Sequence, residues 1–365
     1  MIPGSIAIKR LGILRNDALG DTLLTLPVAS AVKQFEPATE VELICHESFS
    51  SLFKAHPDLD AVIADPGGSS FDLARLLRER HYDAILVLRP TPRNARAAFF
   101  ARVPMRVGTA YRAYGMLFNT RWYGHRKLNE HHEVEYNLQL LRRLIGPIPG
   151  SPQYYLPPPS GDEDSAQKVL SDAGVVRDRP LVAIHPGFRI RPDGKRSALS
   201  WPNQHYVTLA ELLIARGCQV VVTGTDEDTE MTGAVAAVEQ TIDLTGKTTL
   251  GQLAWILKTC DTMVANSTGV LHLGAAVGTK VIGIYPGSES TSPVRWGPYG
   301  KGHKVFRVPV DICGRRGCAW EECPDYNCLE RILPEEVVAV VEGLISQSPL
   351  RSRRRETTTG KGEGG

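Results

Sequence analysis

Short runs of β-branched and aliphatic residues alternate along the chain with stretches whose apolar positions recur every three or four residues. That alternation predicts βα units and parallel sheets. In the first half the apolar runs place strands at residues 11–15, 40–45, 61–64, 84–88 and 106–107, with helices between them. Prolines then gather in Gly146-Pro147-Ile148-Pro149-Gly150-Ser151-Pro152 and Pro157-Pro158-Pro159, where neither a helix nor a central strand can continue. Beyond them the pattern restarts, with strands expected at 181–185, 219–223, 262–265 and 280–285 and helices at 203–216, 227–238 and 268–277. Two βα domains in tandem result: 1–148, a proline-rich linker 149–160, and 161–346. Residues 347–365, with Arg351-Ser352-Arg353-Arg354-Arg355, carry no apolar periodicity and read as a disordered basic tail.

Composition narrows the class. The chain has 365 residues, 42% of them apolar, and 42 Lys and Arg stand against 40 Asp and Glu. So near a balance argues against a globally basic nucleic-acid binder, and so apolar a chain can bury a core. No apolar run approaches the roughly 18 residues of a membrane span, and Ser5-Ile6-Ala7-Ile8 is cut off by Lys9-Arg10 before a signal-peptide core forms. A cytoplasmic location is expected, and the odd count of 7 cysteines fits reduced thiols there. No G-x-G-x-x-G follows an expected strand, so no dinucleotide cofactor is expected. Gly246-Lys247-Thr248 resembles a P-loop end, but position 241 is Thr241, so a strand-to-helix turn is the better reading. The sequon Asn266-Ser267-Thr268 carries no meaning in a cytoplasmic chain.

Three stretches carry candidate chemistry. After the first strand, Asp17-Ala18-Leu19-Gly20-Asp21-Thr22 turns into a helix. There a carboxylate either faces a ligand at the strand ends or caps the helix. After the strand at 262–265, Ser267-Thr268-Gly269 opens a helix whose N–H groups and dipole suit a diphosphate. His272 follows one turn on, either toward that anion or buried and satisfied. After the strand at 181–185 come His185-Pro186-Gly187, the basic Arg189, Arg191, Lys195 and Arg196, and Trp201-Pro202. Cations there would neutralise a departing diphosphate.

Taken together, Asp17-x-x-Gly20-Asp21-x-x-Leu24-Thr25-x-Pro27, His185-Pro186-Gly187 with Trp201-Pro202, Ser267-Thr268-Gly269-x-x-His272-Leu273-x-Ala275-Ala276 and Arg295-Trp296-Gly297-Pro298 resemble the ADP-heptose:lipopolysaccharide heptosyltransferases, glycosyltransferase family 9. The resemblance runs from about residue 10 to 345 in the family's order and spacing. It implies an α/β GT-B fold, two facing Rossmann-like domains with a cleft between them, the acceptor mostly on the first and the nucleotide sugar on the second. It further implies an inverting, metal-independent transfer of heptose from ADP-heptose to a lipopolysaccharide core. Asp21 matches the position of the family's base. Ser267, Thr268, Gly269 and His272 match its diphosphate positions, with His185, Pro186 and Gly187 on the donor side. Many members place Lys or Arg directly before Trp-Pro, whereas this chain has Ser200, so Lys195 or Arg196 is expected to take that part.

On the expected acceptor side, residues 89–127 hold nine Lys and Arg, beginning with Arg89, Arg93 and Arg96, and no Asp or Glu, with aromatics interleaved. This stretch reads either as a surface for an anionic glycolipid and the inner membrane leaflet or as a solvated face. Cys313, Cys318, Cys323 and Cys328 recur every five residues without C-x2-C pairs. Packed thiols are favoured over a structural metal site. Other family 9 donors or acceptors, or a catalytically silent sugar-nucleotide binder, are the alternative readings, and no nucleic-acid partner is expected.

Overall fold

The computed structural model describes residues 8–176, 178–187, 200–309 and 328–347. The chain forms two compact units that divide between Pro159 and Ser160.

In the first unit β1 (Arg10–Leu14) leads through α1 (Leu19–Leu23) and α2 (Leu26–Phe35) to β2 (Glu40–His46) and α3 (Glu47–Phe53). Next come β3 (Ala61–Asp65), α4 (Ser70–Glu79), β4 (Ala84–Val87), α5 (Pro92–Phe100), β5 (Met105–Thr109), β6 (Thr120–Trp122) and α6 (Glu133–Ile145). All strands run parallel, in the order β3-β2-β1-β4-β5-β6. Inward faces of Leu14, Ile44, Ile85 and Val87 meet Leu73 and Leu77 of α4 and Ala95 and Ala98 of α5. Each large aliphatic chain buried this way contributes about 1.5–3 kcal/mol. Ser69 starts α4 with a capping box to Asp72, its hydroxyl taking the N–H groups of Phe71 and Asp72.

The second unit repeats the plan. Its elements are α7 (Glu163–Asp172), β7 (Leu181–His185), α8 (Asn203–Ala215), β8 (Gln219–Val222), α9 (Thr229–Ala236), β9 (Thr241–Asp243) and α10 (Leu250–Thr259). They continue through β10 (Thr262–Asn266), α11 (Gly269–Ala276), β11 (Lys280–Tyr285), α12 (Pro293–Trp296), β12 (Lys304–Arg307) and α13 (Pro334–Ser346). The order β12-β11-β10-β7-β8-β9, counted from this unit's own first strand, is the same doubly wound order as in the first. In such sheets the direction of winding reverses between the first and fourth strands. Ligands bind there, outside the carboxyl ends. The switch points are β1/β4 and β7/β10.

Central strands lie within a residue or two of expectation, but β6, β9 and β12 were not expected. All three are edge strands of three or four residues. The helix expected at 227–238 is a 3-10 turn at Asp226–Asp228 followed by α9, because Thr225 caps the turn through Asp228. Gly246-Lys247-Thr248 is indeed the turn from β9 into α10. Gly246 has φ +67°, and a Cβ there would fall 1.9 Å from Asp226 Oδ1. Residues 151–159 form neither helix nor strand, and they are anchored to the first unit. The Gln153 N–H donates to Ser30 Oγ at 2.9 Å, and His56 Nε2 donates to the Tyr155 carbonyl at 2.9 Å.

Cys45, Cys218 and Cys260 are buried, and burial pushes the Cys45 thiol up to about 12, as for an inert core thiol. Cys313, Cys318 and Cys323 lie outside the described residues, as does the basic tail, so the cysteine cluster is seen only at half-buried Cys328. Among the described residues no helix is long and apolar enough to cross a membrane.

Candidate active site

At the first switch point β1 delivers Arg15 to the carboxyl edge of the sheet. Its guanidinium is 4% exposed and binds three carboxylates: Asp17 at 2.8 Å, Glu133 at 3.0 Å, and Asp21 in a short contact. It also donates to the Leu88 carbonyl at 3.1 Å, just past β4. Asp21 does not cap its helix. The N-cap of α1 is Ala18, and the Asp21 carboxylate turns to Arg15 instead. Glu133, the first residue of α6, is wholly buried and is shared with Arg126. Arg126 in turn donates to Asn137 Oδ1 at 3.2 Å, and Asn137 Nδ2 donates to the Leu24 carbonyl at 3.1 Å. The chain from α1 to α6 is thus closed by polar groups.

Charge in this cluster is unevenly distributed. Burial works against the Arg15 charge, but Asp21, Asp17 and Glu133 outweigh it and raise its pKa. Asp21 goes the other way for a carboxyl. Burial, with Asp17 and Glu133 adding negative charge, raises it above the ordinary carboxylate range even though Arg15 pulls it down. One-fifth of its side chain remains exposed. A rigidly held, accessible carboxylate with a raised pKa is suited to accept a proton.

Folding changes the picture of the basic stretch 89–127. Arg126 is buried against Glu133 and faces no solvent. Arg93 makes a bidentate pair with Asp65 at 2.7 and 2.8 Å. Arg89 donates to the Asn16 carbonyl at 2.6 Å and lies 3.9 Å from Asp17. Arg96 is exposed on α5. The surface is therefore not of one sign at Arg93, because its counter-charge arrives from β3. A charge count along the chain sees only sequence neighbours. Asp65, which burial alone would raise, is held below the usual carboxylate range by Arg93 and Asn16.

At the second switch point β7 ends in His185 and β10 in Asn266. His185 is buried. Its Nδ1–H donates to the Thr223 carbonyl at 3.0 Å, and burial lowers its pKa, so the ring is neutral with Nε2 unprotonated. That ring sits under Gly187, where a Cβ would come 2.6 Å from Nε2. His185 therefore shapes the loop as a platform and supplies no cation to it. Asn266 staples three segments: its Oδ1 accepts from the Trp201 N–H at 3.1 Å, and its Nδ2 donates to the carbonyls of Pro186 at 3.4 Å and Gly187 at 3.5 Å. Trp201 is wholly buried, edge-on to Tyr206 at 4.9 Å, with its indole N–H on the Ile332 carbonyl at 2.9 Å. Lys195 and Arg196 lie outside the described residues.

Helix α11 begins at Gly269. Thr268 is its N-cap, its hydroxyl taking the Leu271 N–H at 3.4 Å. Ser267 is exposed, Thr268 and Gly269 half-buried, and His272 buried at 5% exposure. The first-turn N–H groups have no carbonyl one turn back within the helix, so an anion at this end meets both donors and dipole.

Sequence reasoning assigned no role to Arg15, Glu133 or Asn266, and it counted Arg126 only among the basic residues of 89–127. Arg15 ends a strand next to an acidic turn, which is a usable signal. Glu133 lies 118 residues from Arg15 and has none beyond a place at a helix start. Asn266 was set aside as an idle sequon.

Two doubly wound sheets, with a buried charged cluster at one switch point and an open helix start at the other, define a protein of two Rossmann-like domains. Residues 70–322 match the family model for glycosyltransferase family 9 (heptosyltransferase). Lipopolysaccharide heptosyltransferase 2 of Salmonella typhimurium is 27% identical over 291 residues, 75% of this chain and 82% of that protein. The crystal structure of the family 9 glycosyl transferase from Veillonella parvula matches with a TM-score of 0.79 at 22% identity, covering 93% of this chain and 98% of that one. That of E. coli ADP-heptose lps heptosyltransferase II gives 0.74 at 23% identity, covering 93% and 99%. The chain belongs to glycosyltransferase family 9 and has the GT-B fold of two Rossmann-like domains.

Proposed function

We propose that this glycosyltransferase moves heptose from ADP-heptose to a hydroxyl of an anionic, lipid-linked lipopolysaccharide core, with inversion and without a metal ion. The observation that carries the reading is Asp21, partly accessible and with a raised pKa at the β1/β4 switch point. Its carboxylate takes the acceptor's hydroxyl proton as that oxygen bonds to the anomeric carbon. The bond from that carbon to the β-phosphate oxygen breaks with its electron pair, and ADP departs. Negative charge on the departing diphosphate is met by the N–H groups of Ser267, Thr268 and Gly269. Lys195 or Arg196 adds a cation, His272 adds to the diphosphate site, and His185, Pro186 and Gly187 serve the donor side. Arg89, Arg93 and Arg96 lie toward the acceptor. Work is done in the cytoplasm, in peripheral contact with the inner membrane. Support for the donor comes from the relatives, one of which is the E. coli ADP-heptose lps heptosyltransferase II.

The test is a donor screen, ADP-heptose against UDP- and GDP-sugars, reading nucleotide release with and without EDTA. Release from ADP-heptose, unchanged by chelator and lost in Asp21→Asn, is expected. Release from a uridine donor alone overturns the donor, and chelator sensitivity overturns the metal-free step.

A further inference from the structure

The outer faces of α4 and α5 have a composition that neither the core nor the candidate active site explains. On α4, Phe71, Arg75 and Arg78 recur at helical spacing on the side away from Leu73, Ala74 and Leu77, which enter the core. On α5, Arg96 and Phe99 are exposed, while Phe100 is half-buried and packs against the core that holds Ala95 and Ala98. The two helices pack on each other, and the Phe71 and Phe100 rings stack at 4.8 Å. Phe99 stands edge-on to Phe100 at 5.9 Å, and the Arg106 guanidinium lies 5.6 Å from the Phe99 ring centroid. Arg106 also donates to the Leu117 carbonyl at 2.9 Å, beside Met116 in the 3-10 turn Ala113–Leu117. These contacts link α4, α5 and the 3-10 turn one to the next. Phe71 is 66% exposed, Phe99 45% and Met116 77%.

Leaving three large apolar side chains in water is unfavourable unless something covers them. Arginines surround them: Arg75, Arg78 and Arg102 are exposed, and Arg121 donates to the Met116 carbonyl at 3.3 Å. The acids on α4 are Asp72 and Glu79, and Asp72 is drawn back to Ser69 in the capping box. We infer that this aromatic and arginine-rich face seats on an anionic lipid bilayer. Phe71, Phe99 and Met116 enter the headgroup boundary, and the arginines meet lipid phosphates. A second copy of the chain is a poor occupant, because a self-complementary contact would bring arginine against arginine. A nucleic acid is also disfavoured, since Met116 offers no ring for a base to stack on and one face of Phe71 is already taken by Phe100.

The inference rests on the membrane contact proposed above and names the residues that make it. The test is co-sedimentation of the full chain with vesicles of phosphatidylcholine alone or mixed with phosphatidylglycerol. Binding to the anionic vesicles, falling as salt rises, is expected. Arg75→Gln/Arg102→Gln should weaken it roughly 25-fold, about fivefold for each arginine removed, and Met116→Ser should weaken it severalfold with unchanged thermal unfolding. Equal binding to neutral vesicles, no binding to either, unaltered binding by the variants, or a concentration-dependent dimer abolished by them would each overturn it. Nucleotide release on a delipidated, water-soluble acceptor reads the proposed function alone. If that fails while vesicle binding stands, only the functional reading falls.

Discussion

The two switch points share one strand order and differ in what ties their loops together. After β1 and β4 the ties are charged: Arg15 reaches the Leu88 carbonyl and Arg89 the Asn16 carbonyl, each from one loop to the other. After β7 and β10 the tie among the described residues is neutral, the amide of Asn266, and the uncharged ring of His185 reaches Thr223 just past β8. A charged frame can hold a carboxylate and set its proton affinity, as Asp21 shows. A neutral tie adds no charge of its own to the dipole field of the α11 start, which suits the diphosphate proposed there. On the function proposed above, one topology serves proton transfer in one unit and anion binding in the other, and the residues at the strand ends make the difference.

The largest expected effect separates the two in kind. Asp21→Asn should lower kcat by about a hundred- to ten-thousandfold, the span typical of a lost proton acceptor, and leave donor Kd within about twofold. If the variant kept its turnover, the charged frame would have no catalytic meaning. The pH dependence has a definite sign. The acceptor of the proton must be ionised, so kcat/KM should fall as pH drops through the raised Asp21 pKa, at a pH above the ordinary carboxylate range. For stability the sense is opposite: a carboxyl whose folded pKa is raised favours the fold fully below its unfolded pKa. That contribution is lost as pH rises through the folded value. Asp21→Asn should therefore be no less stable than the parent at neutral pH while inactive, a pairing that urea unfolding at two pH values checks.

Glu133 sharpens the same side. Wholly buried, it faces both Arg15 and Arg126. Glu133→Ala should destabilise by about 3–5 kcal/mol, the usual cost of leaving buried charge without its partner. Glu133→Gln with Arg126→Met should recover part of that loss. A single variant as stable as the parent would mean that the frame tolerates its charges unpaired.

Sequence reading reached the two loops but not what holds them. Asp17 to Asp21 and Ser267 to His272 are local patterns that follow apolar runs, and the central strands β1, β2, β7, β10 and β11 are buried enough to show as such runs. Strands β6, β9 and β12 were not legible. Each is short, borders one neighbour and is only partly buried, so its residues carry no strong apolar signal. Arg93 with Asp65 and Arg15 with Glu133 are pairs across 28 and 118 positions, and nothing along the chain marks them. Trp201 was legible as part of a motif, and its burial against Tyr206 shows that one of its roles is to hold the fold.

On the neutral side, Asn266→Ala removes the amide that joins the β7 and β10 loops to the chain at Trp201. It leaves the buried Trp201 N–H without this acceptor, a loss of about 1–3 kcal/mol. Donor Kd should weaken, by up to about tenfold, while kcat falls far less than in Asp21→Asn. Equal damage to kcat with an unmoved Kd would erase the distinction between the two switch points.

Thr268 gives the smallest effect and the finest test, because it touches the helix start without touching its charge. Its hydroxyl takes the Leu271 N–H at 3.4 Å, a long hydrogen bond. Thr268→Ala should therefore cost about 0.5–1 kcal/mol, the low end for losing an N-cap, or roughly 1–4 °C in Tm for a unit of this size. Thr268→Ser keeps the oxygen and should restore Tm. The first-turn N–H groups survive both changes, so ADP affinity should follow helix stability only weakly if the backbone holds the diphosphate. An ADP affinity lost in Thr268→Ala and regained in Thr268→Ser, by more than the change in stability, would show that the side-chain hydroxyl binds the anion itself and that the second switch point is not a purely backbone cradle.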